Sequence, residues 1–170
     1  MMKKIFGLLF VMVLATGTAM AQKYGHLNFG NVVSLMPDTK SANTTLETYR
    51  EGLVAKGEAM AQDFQTQYGK FVADVQSGEL SPVEQQKRQE ALEKKQNEIM
   101  TYEQVIQQQV EAKRAELLQP IIQKVEKAIA DVAQANGYVM VFDTSVFNAI
   151  LFAQQTDDLM PLVKAELGIE

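Results

Sequence analysis

Through the middle of this chain, apolar residues recur at helical spacing over a distance that few compact folds can accommodate. Leu46, Tyr49, Leu53, Met60, Phe64, Tyr68, Phe71 and Val75 lie three, four or seven residues apart, which places them on one face of one helix. The pattern stops at Ser77-Gly78-Glu79-Leu80-Ser81-Pro82. Gly78 suits a helix C-terminus, Ser81 can cap the next helix, Pro82 fits its first position, and Glu84 completes a Ser-x-x-Glu capping box. A second stripe of Leu92, Ile99, Ile106, Val110, Leu117, Ile121, Val125, Ile129 and Val132 then continues to Asn136-Gly137, with Pro120 as the one internal stop signal and a place for a bend. Residues 38–77 and 82–120 each extend about 60 Å as helix at about 1.5 Å per residue. Two helices of equal length joined by a short turn make an antiparallel hairpin. Ordinary bundle helices, which average about three to four turns, are much shorter.

The two stripes are unequal. Between Glu84 and Glu98 only Ala91 and Leu92 are apolar, so a seam built there cannot be tightly packed from both sides. Phe64, Tyr68, Phe71 and Val75 on the first helix are therefore under-matched, and under-matched aromatic surface is open to another partner. Gly57 occupies the seam position between Leu53 and Met60, where a weakly packed or bent spot is expected rather than a helix end.

Outside the hairpin, Tyr24 to Phe29, Tyr138 to Phe142 and Ala149 to Phe152 read as strands. The second is apolar on both faces and so predicts a covered central strand. Thr156 to Leu167 reads as a short helix with Pro161 in its first turn. A body made of residues 22–37 and 121–170 is small, and the chain has no cysteine, so association is the expected source of additional core. The fold class is thus α+β and predominantly helical, with a long antiparallel helical hairpin over 38–120, turning at 77–82, that projects from a small β-containing, oligomerising body.

At the N-terminus, Lys3 and Lys4 precede an apolar run from Ile5 to Leu14, and Ala19-Met20-Ala21 supplies an A-x-A site. This is the pattern of a secretory signal peptide over 1–21, cleaved near Ala21/Gln22. The apolar run is too short to cross a bilayer core, which needs about 20 residues. Removing 1–21 takes away two lysines and no acid, moving the net charge from −5 to −7. Such a chain repels nucleic acid and anionic lipid, and no stable membrane insertion is expected.

Candidate chemistry is sparse. The single histidine, His26, has no cysteine to join it at a metal. Gly25 and Gly30 have the spacing of a phosphate loop, yet Asn31 and Val32 stand where Lys and Ser or Thr are required. Asp157 and Asp158 fit a cap and dipole partner at a helix start. The chain therefore reads as a non-enzyme with no cofactor and no metal.

The order of a short strand, Val32-Val33-x-Leu35-Met36-Pro37, a long charged hairpin, Gln119-Pro120-Ile121, Lys124-Val125-x-Lys127-Ala128-Ile129, Ala133-x-x-Asn136-Gly137-Tyr138 and a strand ending at Asp143 resembles the OmpH/Skp family of periplasmic chaperones over essentially the whole mature chain. The resemblance implies a jellyfish-like homotrimer in the periplasm, whose arms surround a cavity that holds unfolded outer-membrane β-barrel proteins without ATP. On that reading Met60, Phe64, Tyr68, Phe71, Val75, Leu92 and Ile99 form the client-binding face. Leu27, Phe29, Tyr138, Val139, Met140, Val141, Phe142, Ile150 and Phe152 serve oligomerisation. One departure is electrostatic: the best-known members have basic arms, whereas residues 82–103 here hold four basic and five acidic residues, so no lipopolysaccharide site is carried over. A structural coiled-coil scaffold or spacer of the cell envelope is the other reading.

Overall fold

The computed structural model describes residues 22–147 and 150–169; the signal-peptide reading of 1–21 lies outside them, as does Ala149. The elements in chain order are β1 (Lys23–Leu27), α1 (Phe29–Leu35), α2 (Pro37–Ser77), α3 (Pro82–Ala135), β2 (Tyr138–Asp143), a single 3₁₀ turn (Gln155–Asp157) and α4 (Met160–Leu167). The fold is α+β and predominantly helical. Two compact units divide the chain, one of residues 32–126 and the other formed by residues up to 31 together with 127 onward.

The 32–126 unit contains the helix pair. Helix α2 ends at Gly78, whose φ of 73° is left-handed and whose N–H returns to the Val75 carbonyl. Helix α3 begins with the capping box formed in full. Ser81 N–H donates to Glu84 Oε2 at 3.1 Å, Ser81 Oγ donates to the same oxygen at 2.7 Å, and Glu84 N–H donates to Ser81 Oγ at 3.4 Å. The Ser81 hydroxyl, and then its amide, hold the Glu84 carboxyl below the usual carboxylate range. Cross-helix contacts show the antiparallel register directly. Asp38 meets Lys124 at 3.3 Å, Tyr49 meets Gln109 at 3.2 Å, Asp63 meets Lys95 at 2.5 Å and Asp74 meets Arg88 at 2.6 Å. The Lys95 ammonium, with Gln67 in support, holds Asp63 below its ordinary pKa. These ion pairs are exposed and fix register more than they stabilise. Helix α3 runs through Pro120 without a break, although proline removes one i→i−4 donor.

Burial along the pair is uneven. Val32, Met36 and Ala42 at the start of the unit's sequence span and Ile121 and Val125 at its end are buried, whereas on α2 beyond Ala42 no residue is fully buried. On α3 the only buried residue of 82–120 is Leu92. The helices are thus long by local propensity and lightly packed. Gly52 and Gly69 add to this, since a Cβ at either would meet nothing within 4 Å. Gly52→Ala and Gly69→Ala are each expected to stabilise the helix pair by about 1 kcal/mol, the ordinary helical cost of glycine relative to alanine. A rise in the thermal midpoint followed by circular dichroism checks this.

In the other unit β1 and β2 form a two-stranded parallel sheet, with Gly25 opposite Val141 and Leu27 opposite Asp143. Leu27, Ala128, Val132, Leu159 and Val163 make its core. Three sequence expectations are corrected here. Phe29 does not end the first strand but opens α1, because Asn28 Oδ1 accepts the Asn31 N–H at 2.8 Å and Asp143 Oδ1 accepts the Phe29 N–H at 3.1 Å. No strand forms over 150–152. The edge of β1 away from β2 is instead taken by the 158–159 segment, through a bridge between His26 and Asp158 and a 2.8 Å bond from Leu159 N–H to the His26 carbonyl. Finally, β2 is not covered within one chain: Val139, Met140 and Phe142 are 59%, 52% and 43% exposed.

Candidate functional site

Two surfaces stand out, one on each unit, and both are apolar rather than catalytic. On the helix pair, Tyr68 is 53% exposed and Val75 37% exposed, while Met60, Phe64, Phe71 and Ile99 are half-buried. Phe64 and Tyr68 stack one turn apart, with ring centroids 6.1 Å apart and planes 20° apart. Leu92 behaves differently from the rest of the predicted client-binding set. It is buried in the seam, close to a hollow that Phe71 also lines.

Exposed apolar residues also occur where the stripe analysis did not look. Val54, Val83 and Met100 are 41%, 77% and 68% exposed. They were missed because they lie beside the seam-facing positions, and a periodic pattern reports only the face it repeats on.

At Gly57 the ring of Tyr102 lies against α2, where an added Cβ would stand 3.2 Å from Tyr102 Cδ1. The expected loose spot is therefore a glycine–tyrosine contact, and α2 is continuous through it. Beside it opens a groove of about 660 Å³, with Val54, Met60, Ile99, Tyr102, Ile106 and Val110 among its walls. The Tyr102 hydroxyl is shielded from solvent and has no hydrogen-bond partner, an arrangement that costs roughly 1–3 kcal/mol when left unsatisfied.

On the strand-bearing unit, Val146, Phe147, Leu151 and Phe152 are 60%, 89%, 89% and 83% exposed. Together with the exposed residues of β2 they amount to far more large apolar surface than scattered single residues on a small soluble unit. Of the predicted oligomerisation residues, Val139, Met140, Phe142 and Phe152 are exposed, Phe29, Tyr138, Val141 and Ile150 are partly covered, and Leu27 is in the core.

The polar groups in this unit have structural partners. His26 Nε2 lies 3.0 Å from the Gln154 carbonyl, so it carries the proton and ties down the segment after Phe152. Burial alone would raise the Asp143 pKa, yet hydrogen bonds from Ser145 Oγ, Ser145 N–H and Phe29 N–H outweigh it and hold the carboxyl low. Asp158 accepts the Met160 N–H at 2.9 Å, in the first turn of α4. Among the described residues there is no group of three His, Cys, Asp or Glu side chains placed to hold a metal ion.

A family model for OmpH-like outer membrane proteins matches residues 23–167. The chain belongs to the OmpH-like family. Among curated relatives it is similar to the chaperone protein Skp of Yersinia enterocolitica, at 23% identity over 145 residues and 85% of each chain. Among solved structures it is similar to a crystal structure from Caulobacter crescentus described as an OmpH-like outer membrane chaperone. The TM-score is 0.68, at 20% identity, covering 89% of this chain and 86% of the other. The fold is therefore shared with that structure at low sequence identity. Among the described residues, no helix of this OmpH-like protein is long and apolar enough to cross a membrane.

Proposed function

We propose that this protein is an exported, ATP-independent holding chaperone of the periplasm, which binds unfolded outer-membrane β-barrel proteins between helical arms and keeps them from aggregating. The arm is the hairpin of residues 38–120, and the body of residues 22–37 and 121–170 joins three copies. The observation that carries this reading is the lightly packed helix pair with apolar side chains left open along it, Tyr68 and Val75 above all. Holding an unfolded chain needs many weak apolar contacts and no chemistry. Several arms on one assembly multiply those contacts through effective concentration.

Tyr68→Ser combined with Val75→Ser tests the reading, because both residues are exposed enough for the helix pair to survive their loss. Each is expected to forfeit about 1 kcal/mol of client contact, or roughly a fivefold loss of affinity per site. The readout is light scattering after urea-denatured β-barrel proteins are diluted into the purified chaperone. Protection by the double variant equal to that of the parent would remove this face from the function. A coiled-coil spacer, the other reading, predicts no protection of unrelated clients by the parent either.

A further inference from the structure

We propose that the groove at Gly57 and Tyr102 is a docking site for a stretch of unfolded chain that places an apolar side chain next to a lysine or arginine. The inference rests on the holding function above and assigns a sequence preference to one place on the helix pair. Its volume of about 660 Å³ falls within the roughly 300–1,000 Å³ of sites that enclose a ligand. The walls explain the apolar half of the preference. Val54 and Met60 come from α2, and Ile99, Ile106 and Val110 from α3. Gly57 and Tyr102 both line the groove, and the absence of a side chain at Gly57 lets the Tyr102 ring approach α2 closely, since an added Cβ would stand 3.2 Å from it.

Charge explains the other half. Glu58, Glu103 and Glu111 line the groove, against Arg50. Among the described residues Glu58 and Glu103 have no ion pair, Glu111 faces Arg114 only at 4.0 Å, and Arg50 is within 3.8 Å of Glu47. Lys56 is a further cation nearby, with its ammonium 5.6 Å from the Tyr102 ring centroid. Among the residues that line the groove the carboxylates thus outnumber the cations three to one. Residues 32–126 as a whole carry fifteen acidic and eleven basic side chains, so the surrounding field has the same sign. An apolar side chain entering the groove with a neighbouring cation meets both features, and a segment with a neighbouring carboxylate meets repulsion.

The test uses the full mature protein and two short unstructured peptides with identical apolar residues, one spaced by lysines and the other by glutamates, followed by fluorescence anisotropy. The lysine peptide is expected to bind about tenfold more tightly, and 0.5 M salt to erase most of the difference, as for any exposed charge pairing at a Debye length of roughly 3–10 Å. Glu58→Gln with Glu103→Gln is expected to weaken lysine-peptide binding about fivefold, in keeping with exposed pairs. Glu90→Gln with Glu93→Gln removes the same charge elsewhere on α3 and is expected to leave the preference unchanged. Equal binding of the two peptides by the parent overturns the proposal, and so does an equal loss in both charge variants, which would make the preference a property of net charge. Protection of diluted β-barrel proteins is measured in parallel. A parent that protects none of them sinks the holding function, while the peptide preference still decides the groove.

Discussion

Gly25→Ala is expected to destabilise the strand-bearing unit by about 1–3 kcal/mol, the usual cost of overpacking a filled core. Gly25 is buried in β1, and a Cβ there would stand 2.2 Å from Leu159 Cδ1 and 3.0 Å from the Tyr138 ring. A methyl end can often swing away, but Leu159 is fully buried, and buried side chains in close-packed interiors have little room to shift. Its backbone is also fixed, since its N–H bonds to the His26 carbonyl at 2.8 Å. The strain therefore reaches the junction between β1 and the segment leading into α4. Gly30→Ala is the matched control. Its Cβ would meet only ordinary contacts at 3.5 and 3.6 Å, so no loss is expected there. Leu159→Ala alone is expected to cost about 2–5 kcal/mol through the cavity it leaves. Combined with Gly25→Ala it should cost clearly less than the sum, because the new methyl partly fills that cavity. Urea denaturation at one fixed protein concentration measures all four chains. Strict additivity in the double variant would show that the two side chains do not share this space.

The helix pair was legible because its signals are local. Gly78, Ser81, Pro82 and Glu84 act within one turn of themselves, and each does in the structure what its chemistry requires. The groove was not legible, because it depends on which residue of α3 arrives opposite Gly57. A periodic stripe gives the face of a helix, which Tyr102 shares with Ile99 and Ile106 three and four residues away, but not its axial register. The small sheet was misread for a related reason. Ile150-Leu151-Phe152 has strong β-propensity, but propensity expresses fit to a partner edge, and the free edge of β1 is occupied by Asp158 and Leu159. Helix α1 did leave a signal in Asn28, whose side chain caps it. Its seven residues are too few for periodicity to show.

A charge placed on the exposed face of β2 and the following loop is expected to dissolve the proposed assembly while sparing the single chain. Val139 is 59% exposed and Phe152 83% exposed in one copy, so Val139→Asp with Phe152→Asp should cost an isolated chain little. Among the described residues the other edge of β2 is unpaired, the sheet there having two strands, and open edges invite pairing with another chain. If other copies cover this face, each aspartate is desolvated without a partner, at a cost of about 2–5 kcal/mol per contact. Two such costs weaken association by roughly a thousandfold or more. Light scattering should then give a single-chain mass, with far-ultraviolet circular dichroism still reporting the helix pair. An oligomer of unchanged mass would mean that the face lies outside the contact between copies. Loss of helicity in the same variant would assign these side chains to the chain's own core, against their exposure. On the holding function proposed above, the single-chain form should also lose most of its protection of β-barrel proteins, because separate helix pairs no longer multiply weak contacts through effective concentration.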